Sequence, residues 1–118
     1  MSTPEYLKET SSAKTVMSVH GVRFHLKGEL PSAISLSHLK DEILKKIPAK
    51  LFHGVKGVFL GEFEYLTHRG AQAISYNGSI FISSSQESTM EIVDDLSHEL
   101  GHMIEKRYYN NIHANPSL

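Results

Sequence analysis

Two histidines stand four residues apart in the stretch DDLSHELGHMIEK, residues 94–106, and a glutamate directly follows the first. On a helix, residues at i and i+4 project side by side, with Cβ atoms about 5–6 Å apart. Two imidazoles so placed, His98 and His102, can converge on one Zn²⁺, which takes each nitrogen at about 2.0–2.1 Å. Neither ring is a charged ligand, so the ion stays strongly electrophilic. A catalytic zinc needs a third protein ligand and keeps one position for water, whose pKa it lowers to about 7. Glu99, rotated about 100° from His98, would reach that water rather than the ion and act as its general base. The competing reading is a solvated helix face with two surface histidines. Eight of the 118 residues are histidine, so the bare pattern is only moderately specific.

Helical phase places the motif on its helix. With His98 at zero and about 100° per residue, His102 falls near 40°, Glu105 near -20°, Glu91 near 20° and Asp95 near 60°. Ile92, Leu96, Leu100 and Met103 cluster between roughly 120° and 200°. The histidines therefore lie opposite an apolar stripe, with Glu99 at its shoulder. Gly101 sits between them in mid-helix, where glycine costs about 1 kcal/mol relative to alanine. A close approach by another backbone, or a crowded cleft, is the expected reason for it.

The surrounding elements must position this helix. STME, residues 88–91, resembles a capping box, with Ser88 as N-cap and Glu91 at the third helical position. The helical pattern then runs to about Tyr109. Before it, AQAISYNGSIFISS (71–84) carries two β-rich runs around Asn77-Gly78, the pair a two-residue type I′ turn prefers. That register sets Ile74 opposite Phe81. GVKGVFLGEFEYL (54–66) reads as a strand with glycines at its edges. ISLSHLKDEILKKIP (34–48) places Leu36, Leu39, Ile43, Leu44 and Ile47 at helical spacing, started by Ser35 or Ser37 and ended by Pro48. TVMSVHGVRFHLKG (15–28) reads as one or two strands with Gly21 at a turn or bulge. Residues 1–14 are polar and read as an N-terminal arm, loose or a short helix. The order predicts an α+β fold, a small mixed or antiparallel sheet with a hairpin packed on the long helix, in one domain over 15–118.

Composition removes several function classes. Apolar residues make up 40% and charged residues 21%, with a net charge of -1. The chain has no basic footprint for nucleic acid and no apolar run near the roughly 20 residues of a membrane span. The start carries no apolar signal-peptide core, which fits either a cytoplasmic protein or a processed secreted one. With no cysteine, disulfides, thiolate zinc sites and a cysteine nucleophile are excluded, and a metal must be held by His, Asp or Glu.

The HELGH helix resembles that of the zincin metallopeptidases, in which glycine before the second histidine is common. KKIPAKLFHGVKGVFL, AQAISYNGSIFISS and DDLSHELGHMIE follow the layout of the anthrax-lethal-factor-like peptidases and the related Pro-Pro endopeptidases, over roughly residues 34–109. The resemblance implies a zinc endopeptidase acting on peptide or protein substrates, with His98 and His102 as ligands and Glu99 as general base. It also implies that the strand around Ser79–Ser83 is the edge to which an extended peptide adds. The metzincin pattern is excluded, because it wants Gly and His where Glu105 and Tyr108 stand.

One part of the family pattern has no counterpart. The third ligand there is a glutamate on a later helix, with an oxyanion-stabilising tyrosine before it, and neither is placed here. The domain is therefore expected to lack some of its C-terminal part, or to be completed by a partner that supplies the ligand. Glu105 shares the histidine face but lies a turn beyond His102, and pairing with Lys106 or Arg107 is its expected role. His113 reaches back only if the helix stops at Asn110 or Asn111. Glu62, Glu64 and His68 approach only if their loop crosses the cleft. Tyr108 and Tyr109 are expected to pack or line the rim. His20, His25, His38 and His53 read as surface or satisfied core histidines. The alternative function is a catalytically incomplete zincin-like module, a toxin fragment or assembly component.

Overall fold

A computed structural model describes residues 10–114, with side chains through Tyr108. The architecture is α+β. Two hairpins frame the sheet. Strands β1 (Lys14–Val19) and β2 (Val22–Lys27) are antiparallel and joined by His20-Gly21. Strands β4 (Ala73–Tyr76) and β5 (Ser79–Ser83) are joined by Asn77-Gly78. Both turn residues have positive φ in each case, 52° and 79° in the first and 52° and 84° in the second. This is the type I′ geometry, whose twist matches that of paired strands. Ile74 faces Phe81, as the sequence predicts.

Between the hairpins run helix α1 (Leu36–Lys46), a 3-10 turn (Ala49–Phe52), strand β3 (Gly57–Gly61) and a short helix α2 (Glu64–Thr67). Ser35 caps α1 by accepting from the His38 N–H at 3.4 Å, and the helix ends just before Pro48. The strand read over 54–66 is therefore only its middle; its last residues turn into α2. Parallel pairing of β3 with β2 and β5 gives a five-stranded mixed sheet in the order β1-β2-β3-β5-β4. The register of β1 on β2 slips between Thr15 and Met17, a bulge on that outer strand.

The sheet buries both faces. Alternate strand residues point to opposite sides, so Val58, Leu60, Ile80 and Ile82 face one layer and Phe59 and Phe81 the other. The first layer is α1 and the long helix α3 (Thr89–Ala114), whose Ile92, Val93, Leu96 and Leu100 are buried as the apolar stripe predicts. On the other face, Phe63, Tyr65 and Leu66 around α2 close over Phe81. His25 stacks on Phe59 with ring centroids 4.6 Å apart. Burial, and then the Arg23 charge, lower its pKa from the ordinary histidine value.

The start of α3 is half of the expected capping box. Ser88 Oγ accepts from the Glu91 N–H at 3.3 Å, but the Glu91 carboxylate reaches the Glu87 N–H at 2.9 Å rather than that of Ser88. No helix among the described residues is long and apolar enough to cross a membrane.

Candidate metal centre

His98 and His102 lie together on the outer face of α3, with ring centroids 5.4 Å apart and planes at 73°. Two imidazoles bound to one tetrahedral zinc have centroids about 5 Å apart, given nitrogen–metal distances of about 2.0–2.1 Å. The observed separation is close to that value. Both rings are exposed, the His102 side chain at 58%. With Ser97, Gly101 and Glu105 they line an open groove of about 310 Å³ along the top of the helix.

Glu99 is half-buried and stands on a different flank. By helical phase Glu99 falls at about 100°, just beyond Lys106 at about 80° and Asp95 at about 60°, at the shoulder of the apolar stripe. Lys106, with His102 and Met103, lines a cavity shared with Ser75, Tyr76, Asn77 and Gly78. Asp95, with Glu91 and Asp94, lines another shared with Gln72. The flank of α3 that carries Asp95 and Lys106 thus faces the two ends of β4, and Glu99 lines neither cavity. Asp95 Oδ2 is buried there without a hydrogen-bond partner.

The strand expected at the edge is not the one found there. β5 is interior, paired with β3 on one side and β4 on the other. β4 is the terminal strand, and among the described residues no strand pairs with its outer side. A hairpin's sequence does not say which of its arms meets the rest of the sheet; here the apolar second arm, Ile80-Phe81-Ile82, takes the position buried on both faces.

Among the described residues no group of three or more His, Asp or Glu side chains is arranged to hold an ion. Glu105 is 81% exposed, and its Oε2 lies 3.9 Å from His102 Nδ1, so its neighbour is His102 rather than Lys106 or Arg107. At that distance the contact is electrostatic, too long for a hydrogen bond. The helix does not stop at Asn110 or Asn111 but runs to Ala114. His113 is thus carried about 16 Å along the axis from His102, at about 1.5 Å per residue; its side chain lies outside the described residues. Glu62, Glu64 and His68 flank or belong to α2, which packs on the far face of the sheet. Tyr108 is 68% exposed, and the Tyr109 side chain lies outside the described residues. Among the remaining histidines, His20 donates from Nε2 to the Ile47 carbonyl at 3.0 Å, and His25 Nδ1 shares a hydrogen bond with Thr15 Oγ1 at 2.9 Å. His38 Nε2 lies 3.6 Å from the Glu42 carboxylate, and His53 is exposed.

Gly101 is not explained as expected. A Cβ added there would meet no neighbouring group within 4 Å, so no backbone approaches it and the groove beside it is open. Gly101→Ala should therefore stabilise the protein by about 1 kcal/mol through helix propensity alone. Urea titration checks this, and a loss of stability would show that the groove is filled in solution.

Comparison with family models, curated proteins and solved structures returned no match.

Proposed function

We propose that this protein is a zinc-dependent endopeptidase whose cleft lies between the outer face of α3 and the free edge of β4. The reading rests above all on the paired histidines, which share one outer groove of α3 while β4, whose outer side no described strand pairs, packs beside that helix. His98 and His102 would hold the ion, each through a neutral imidazole. Bound there, zinc would polarise a peptide carbonyl and lower the pKa of a water to about 7. An extended peptide would add to β4 as a further strand, its main chain held by hydrogen bonds and its scissile bond brought over α3. Glu99 would take a proton from the attacking water and deliver it to the departing amine.

The test of the metal site is stoichiometry. The wild-type chain, stripped of metal and titrated with zinc against a chromophoric chelator, should bind one equivalent. His98→Ala and His102→Ala should each lose that binding, while both remain folded because neither ring is buried. Absence of zinc binding, or wild-type affinity in both variants, would overturn the reading.

The lack of a third ligand among the described residues favours a second reading. In it the chain is a zincin-like interaction module that keeps the fold and the histidine pair without turnover. Stoichiometric zinc with no cleavage of any member of a peptide library would select it. A partner chain donating the third ligand would restore cleavage when added.

A further inference from the structure

A cavity of about 710 Å³ opens beside His102 and lies between the tip of the β4–β5 hairpin and the second half of α3. Its walls carry Lys106 and Arg107 opposite Tyr76 and Asn77, and no carboxylate lines it. Among the described residues neither cation has an ion-pair partner, although the chain as a whole carries a net charge of -1. Arg107 is also set in place by the loop before β3. A Cβ at Gly54 would come 3.2 Å from its Nη1, and the Gly54 φ of +83° is one that side chains rarely adopt. Glycine there lets the guanidinium lie against the backbone.

We propose that this cavity is a carboxylate subsite, receiving an acidic side chain or a free C-terminal carboxylate of a peptide that lies along β4. The chemistry follows from the lining. Arg107 offers paired N–H donors suited to a carboxylate, Lys106 a second positive charge, and Asn77 a neutral amide donor. The inference rests on the reading of β4 as the peptide edge, but needs no metal.

The test therefore uses the full chain free of metal. Three fluorescent pentapeptides serve as probes: one blocked at both ends with a single central Glu, its Gln counterpart, and the Gln peptide with a free C-terminus. Binding is read by anisotropy at low salt. The Glu peptide, the free-carboxylate peptide, or both should bind about tenfold or more tightly than the blocked Gln peptide, the size of a charge-assisted hydrogen bond. Which of the two gains identifies the source of the carboxylate. Lys106→Met combined with Arg107→Met should reduce the preference to within about twofold, with the thermal melt unchanged because both side chains are exposed. Equal binding of all three peptides, no binding of any, or an undiminished preference in the double variant would overturn the proposal. The same measurement on His98→Ala separates the two readings: a retained preference with zinc binding lost supports the subsite alone.

Discussion

Glu99→Gln should leave zinc binding intact and reduce peptide hydrolysis by at least about a hundredfold, the usual worth of a positioned general base. Gln keeps the shape of Glu99 and can still accept a hydrogen bond, but cannot take up a proton at neutral pH. The side chain is half-buried on α3, and its size is conserved, so the fold should not change. Zinc titration and cleavage of a quenched peptide library, run on one preparation, separate the two roles. Loss of zinc in Glu99→Gln would move this residue from base to ligand. Equal cleavage by variant and wild type would remove Glu99 from the chemistry.

The largest expected effect on stability belongs to Phe81→Ala, which should destabilise the protein by about 3–5 kcal/mol. Phe81 is 1% exposed and joins several elements at once. Its ring stacks on Phe59 at 5.2 Å, meets Phe63 edge-on at 5.7 Å and tilts against Tyr65 at 5.6 Å. A four-residue helix such as α2 cannot persist on propensity, because helix nucleation is unfavourable. It holds its place by closing over this ring, so truncation opens a cavity and also releases α2. Against a total stability of about 5–15 kcal/mol for a small domain, such a loss leaves little. Equilibrium urea unfolding should show it as a large fall in midpoint. Leu44→Ala, at a position 47% exposed, should stay within about 0.5 kcal/mol of wild type. A small effect at Phe81 would mean that the α2 side of the sheet is not a second core.

The features readable in the sequence are those set by neighbours along the chain. Asn77-Gly78 fixes a two-residue turn, and the turn fixes Ile74 against Phe81. Ser35, Pro48 and Ser88 bound their helices through local hydrogen bonds or a missing donor. The period of Ile92, Leu96 and Leu100 places the histidines outward before any tertiary contact is known. Features set at long range are not readable in this way. Phe63-Glu64-Tyr65-Leu66 continues a β-like run, yet packing over Phe81 bends it into a helix. The interior place of β5 depends on pairing with β3, some twenty residues earlier. Gly101 signals a cost without a cause, since open space and close approach read alike in a sequence. A third ligand for the proposed ion belongs to the same class, because ligands on separate elements have no fixed spacing.

The bulge between Thr15 and Met17 sets the sheet's two margins apart. An irregular outer strand is a poor template for a further chain, whereas a regular one invites pairing. Among the described residues β4 is the regular margin, and it offers four residues. Were two copies to join through it, the blunted second margin would stop the joining from propagating into a fibre, and an extended segment seated on β4 would compete with that pairing.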